Sequence, residues 1–263
     1  MVKIAVTGKG GVGKTTIAAG LARAYARRGR KVIALDMDPS PNLLSSLGYE
    51  EGLDVASVRP LMEMADLIRE RTGAPPGGYG LVFKLNPKVN DLLERFGVKC
   101  RDGVNLLVLG AIRQGGGGCF CPANALARRL VDYLSGWADV LIMDMEAGVE
   151  HLGRGTTRTA EILLTVVEPS VKSLETVKHI VRLAGDLGIG KIFAVANKVK
   201  GESEKEAVSK WLGEAGIPLI YVLPYEEAMV KADLEGKSIY DLKDGEAMLK
   251  RMEELSRIID EKT

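Results

Sequence analysis

Cysteine is scarce in this chain: three residues in 263, at positions 100, 119 and 121. So few exclude a disulfide framework and point to a reducing compartment. A charge imbalance is missing as well. Lys and Arg number 36 against 35 Asp and Glu, a net charge of +1, which argues against a broad nucleic-acid-binding face. No apolar run is long enough to span a bilayer. The apolar start of MVKIAVTGKGGVGKTT gives way within a few residues to glycine and lysine, which does not fit a signal peptide. The expectation is a cytoplasmic, soluble protein without internal repeats.

What the chain does contain is a succession of short apolar runs between helix-like segments. Lys3–Val6, Val32–Leu35, Val104–Leu109, Val140–Met143, Leu163–Val167, Ile192–Ala196 and Leu219–Leu223 are continuous rather than alternating, as in strands covered on both faces. Lys14–Arg28, Ala123–Leu134, Ser170–Leu187 and Ser203–Ala215 carry helical spacing. The alternation predicts an α/β fold: one doubly wound, mostly parallel sheet flanked by helices. We expect one domain over 1–263, with an insertion at about 53–100 that contains a Gly- and Pro-rich loop over Arg71–Gly80. A last helix, about Gly245–Asp260, has Met248, Leu249, Met252, Leu255, Ile258 and Ile259 on one face and mixed charge on the other. That pattern favours packing on the sheet over a membrane-surface anchor.

Gly8-Lys9-Gly10-Gly11-Val12-Gly13-Lys14-Thr15-Thr16 follows the first strand and opens the first helix. It fits the phosphate-loop pattern from Gly8 to Thr15. Glycines let backbone N–H groups curl around phosphate oxygens, and the helix N-terminus adds positive potential. Lys14 supplies an ammonium to the β- and γ-phosphates, and the Thr15 hydroxyl is suited to Mg2+. Asp36 and Asp38 end the second strand, and Asp144 ends another. These are positions at the carboxyl edge of a parallel sheet, where ligands bind.

The extra lysine, Lys9, makes GKGGVGKT resemble the deviant Walker A loop of the MinD/ParA/nitrogenase iron protein class of ATPases. The resemblance implies that Lys9 reaches the nucleotide of a partner, with two ATP molecules held at a two-fold interface. It implies that Asp38 orients the attacking water, with Asp36 in support. It implies that Asp144, in a D-x-x-A-G segment ending at Gly148, holds the Mg2+ shell. It further implies that Asn197 hydrogen-bonds the adenine, that Lys198 covers the ring, and that the loop at Pro224-Tyr225-Glu226 closes over the base.

A second site is suggested by Gly115-Gly116-Gly117-Gly118-Cys119-Phe120-Cys121. In an extended segment both thiols leave the same face. A disulfide across one residue would be strained, and two thiolates are too few for a closed four-ligand site. A two-fold dimer doubles them to four. Two unliganded thiols remain the alternative. Cys100, between Lys99 and Arg101, reads as structural, and His151 as hydrogen-bonded.

The C-x-C loop, together with Met143-Asp144-Met145-Glu146-Ala147-Gly148-Val149-Glu150-His151, resembles the CooC family. These are accessory ATPases for nickel insertion into carbon monoxide dehydrogenase. Segments at Ile68–Gly73, Leu85–Val89 and Glu168–Ser170 extend the likeness along nearly the whole chain. The resemblance implies a homodimeric ATP- and Mg2+-dependent metallochaperone with Ni2+ on Cys119 and Cys121 and the dehydrogenase as client; the charge balance and the mixed face of the last helix argue against nucleic acid and membrane as partners. Zn2+ or Cu(I) would also suit four thiolates. Two other readings stay open: a MinD- or ParA-like positioning ATPase, and an Fe–S carrier.

Overall fold

The computed structural model of the chain describes residues 1–76, 82–111, 121–146, 160–243 and 245–263. The apolar runs become strands β1 (Val2–Gly8), β2 (Val32–Asp36), β4 (Asn105–Val108), β5 (Val140–Asp144), β6 (Ile162–Val167), β7 (Lys191–Val199) and β8 (Leu219–Pro224). A further strand, β3 (Val98–Lys99), is only two residues long. The order across the sheet is β3-β4-β2-β5-β1-β6-β7-β8. Among the described strands every pairing is parallel except β3 with β4.

From β1 the chain runs outward through β2 and β4, returns to fill the gap with β5, then leaves the other way through β6, β7 and β8. β2, β5 and β6 are buried at every residue, which is why their sequences do not alternate.

Helices α1 (Lys14–Arg27), α2 (Leu43–Leu47), α3 (Ala65–Thr72), α4 (Leu92–Phe96), α5 (Cys121–Ser135), α6 (Val171–Asp186), α7 (Glu202–Glu214), α8 (Glu227–Leu234) and α9 (Gly245–Glu261) cover the sheet. One face buries Ile4, Val6, Ala34 and Ile142 against α1, α2 and α9. The other buries Ala5, Leu35, Leu107 and Met143 against α3 and α5, and Val167, Ala194 and Ala196 against α6 and α7. Met248, Leu249, Met252, Leu255 and Ile259 of α9 lie in the first of these cores, so the terminal helix packs as its mixed polar face suggested. Among the described residues no helix is long and apolar enough to cross a membrane.

The expected insertion is more ordered than its composition implied. α3 runs to Thr72 and ends at Gly73, whose φ of 85° suits glycine, so the irregular stretch begins later than Arg71. The Arg71 guanidinium donates to both Asp91 oxygens at 2.8 and 2.7 Å. This fork closes the segment over Leu67, Ile68, Val89 and Leu92, which join the second core. α5 also begins earlier than expected, at Cys121.

Candidate functional site

β1 delivers the phosphate loop to the carboxyl edge of the sheet. Gly8 has φ 147° and a Cβ there would lie 2.4 Å from Val166 O, because β6 runs alongside. Gly11 and Gly13 have φ 79° and 96°. Gly13 caps α1 with no side-chain hydrogen bond, so the first N–H groups of the helix are left for an anion. The Lys14 ammonium, 3.3 Å from Lys9 O, is drawn back onto the loop. Burial lowers its pKa, against the opposing pull of Asp144, Asp38 and Glu146.

The acids converge as the strand register requires, since Asp36 and Asp144 are paired across β2 and β5. Asp36 is fully buried. Its carboxylate accepts from Leu43 N at 2.9 Å and Asp38 N at 3.1 Å, tying β2 to α2. Burial, the largest influence, lifts its pKa to about 6. Asp38 is half-exposed and accepts from Ser40 N at 2.8 Å. Burial, and then repulsion from Asp36, lifts Asp144 to about 7, while Thr15 and Lys14 favour its ionised form. Thr15 hydrogen-bonds this carboxylate, yet its Oδ1 is buried without a partner. An orphaned carboxylate oxygen beside a threonine hydroxyl fits Mg2+.

Asn197 and Lys198, expected at the base, contact the phosphate loop. The Asn197 amide donates to Val12 O at 2.8 Å and Lys198 Nζ to Gly11 O at 2.6 Å. Both brace the phosphate loop, contacts the sequence did not foresee. Successive residues of a strand point to opposite faces, but Lys198 is left-handed, with φ 60°, and the β7–β8 register shifts between Ala196 and Val199. That break lets neighbours reach consecutive carbonyls. A cavity of about 260 Å3 lies beyond, lined by Glu168, Pro169, Ser170, Lys198, Lys200, Glu204 and Tyr225. Of the expected base-covering residues, Lys198 and Tyr225 line it; Asn197 and Pro224 do not. The apolar-run reading gave no sign of Lys200 or Glu204, whose side chains follow β7.

A Cβ on Gly13 would lie 2.4 Å from Asn197 Nδ2. Gly13→Ala should therefore push the brace off the loop. We expect nucleotide affinity to fall at least about tenfold and stability to drop by about 1–3 kcal/mol, read by nucleotide titration and thermal melts. Unchanged affinity would show that the brace does not shape the loop.

Cys121 opens α5, not an extended segment. Its sulfur is disulfide-bonded. Cys119, Gly148 and His151 lie outside the described residues. Cys100 is free and buried in the first core, where burial pushes the thiol up to about 12, the inert structural role expected.

Comparison with known proteins places these features. The model of the CobQ/CobB/MinD/ParA nucleotide binding domain matches residues 3–239. An uncharacterized ATP-binding protein of Methanocaldococcus jannaschii is 46% identical, over 90% of each chain. The carbon monoxide dehydrogenase accessory protein CooC of Rhodospirillum rubrum is 42% identical, over 91% of this chain and 90% of its own. In structure, the MinD cell division protein of Aquifex aeolicus overlays 97% of both chains with a TM-score of 0.68 at 22% identity. MinD of Pyrococcus horikoshii, complexed with Mg-ADP, does so over 100% of this chain and 98% of its own, with a TM-score of 0.66 at 21% identity. With its phosphate loop at the edge of a parallel sheet, the chain belongs to the CobQ/CobB/MinD/ParA nucleotide-binding family.

Proposed function

We propose that this chain is a cytoplasmic Mg2+-dependent ATPase that works as a homodimer. In this reading it carries a transition metal, nickel foremost, on Cys119 and Cys121 and assists metal insertion into carbon monoxide dehydrogenase. The nucleotide half rests on the loop of Lys14 and Thr15 facing the buried carboxylates of Asp36 and Asp144. Thr15 and Asp144 would hold Mg2+, which neutralises phosphate charge when bound, and Asp38 would orient water. Lys9 would face the partner's phosphates.

The cargo half is carried by one observation, the identity with the CooC accessory protein along nearly the whole chain. The place of Cys121 agrees with it, since a helix N-terminus favours thiolate over thiol. Two thiolates per protomer make four per dimer, enough for a closed site under reducing conditions. Membrane and nucleic acid are not partners in this reading: α9 has its apolar face in the core, and the net charge is +1.

The test is metal content under anaerobic, reducing conditions, with nickel as the probe. About one metal per two chains is expected, lost in Cys121→Ser. Binding that survives in Cys121→Ser overturns the bridged site.

A further inference from the structure

We propose that Glu168 holds Lys9 within its own protomer and so opposes dimerisation until nucleotide arrives. This rests on the reading that Lys9 acts across the dimer. Lys9 Nζ lies 3.9 Å from Glu168 Oε1. The topology makes them neighbours: Gly8 is in register with Val166, Lys9 follows the end of β1, and Glu168 follows the end of β6.

The carboxylate is aimed. Its Oε1 accepts from Ser170 Oγ at 3.3 Å, and Ser170 caps α6 by accepting from Ser173 N. The pair is also breakable, since the two side chains remain 37% and 26% exposed.

Glu168 is at the same time a wall of the 260 Å3 cavity shared with Lys198, Lys200 and Tyr225. A base entering that cavity arrives against the group that holds Lys9. An occupant of the cavity and Lys9 thus compete for one carboxylate, so that filling the cavity frees the lysine. In the free protomer Lys9 is turned toward its own β6, and it must leave Glu168 to meet a partner's phosphate.

An exposed pair of this length is weak, worth about threefold in the availability of each lysine. Dimerisation draws on two such lysines, so the effect enters the dissociation constant twice, about tenfold in all.

Glu168→Gln removes the charge and keeps an oxygen for Ser170. Sedimentation velocity with Mg2+ and a non-hydrolysable ATP analogue should show the dimer dissociation constant falling about tenfold at low salt, a difference that closes near about 1 M salt. The melting temperature should not move. In a Lys9→Ala background Glu168→Gln should have no effect. An unchanged or raised dissociation constant, or the same shift without Lys9, overturns the proposal. If Lys9→Ala itself hydrolyses ATP like the native chain, the trans-lysine reading falls and takes this one with it. If Lys9→Ala is inactive and Glu168→Gln is neutral, only the hold is lost.

Discussion

Lys9→Ala will still bind Mg·ATP but will hydrolyse it on the order of a thousandfold more slowly than the native chain. The two lysines of the loop are placed for different tasks. Lys14 is 7% exposed and faces three acids whose charge opposes the burial that lowers its pKa, as a group serving its own phosphates should. Lys9 points away, toward Glu168, with 37% of its side chain exposed.

Removing Lys9 therefore leaves the binding loop intact. On the proposed dimer reading, what goes is a cation supplied by a partner to charge developing in the transition state, a contribution worth about 10^3–10^5 in phosphoryl transfer when arginine provides it. Equilibrium binding of a fluorescent ATP analogue and phosphate release, measured on the same preparation, separate the two effects. Native turnover in Lys9→Ala would remove the trans role.

Asp144→Asn should do the opposite to stability and activity. Asp144 and Asp36 have pKa values near 7 and 6 in the folded chain, against an ordinary carboxylate near 4. A carboxylate raised by folding favours the folded state below its ordinary pKa, and that advantage is lost as pH climbs through the raised one. The nucleotide-free protein should therefore lose stability between about pH 4 and 7, by several kcal/mol in total.

An amide at position 144 cannot ionise. Its melting temperature should exceed the native one by about 5 °C at pH 7.5 and match it at about pH 4. Mg2+-dependent turnover should fall at least about a hundredfold. A variant that is less stable than native at pH 7.5 would mean the carboxylate is held there by attraction to Lys14 and Thr15 rather than tolerated at a cost.

The features carried by continuous runs or fixed spacing were legible before the structure. The buried strands announced themselves because both faces are covered, and the glycines of the loop because their φ values demand them. Asp36 and Asp144 could be placed at strand ends by counting along apolar segments. β3 was not legible, since two residues make no pattern, and neither were α2, α3, α4 and α8, which run for only five to eight residues.

What Asn197 does at the phosphate loop was hidden for a different reason. Its contact with Val12 depends on a left-handed residue and a register shift next to it, both set by how β8 docks. The Lys9–Glu168 contact likewise depends on β1 and β6 lying side by side, and strand order is not written in any single segment.

The brace on the phosphate loop has a consequence for how the protein is made. The loop's carbonyls at Gly11 and Val12 are held by side chains 187 and 185 residues downstream. A ribosome has translated most of the chain before it reaches them. Until β7 emerges and docks, the nascent polypeptide carries the loop sequence without its support. The capacity to grip nucleotide, and with it any ATP-driven pairing of two chains, is thereby deferred until synthesis is nearly complete.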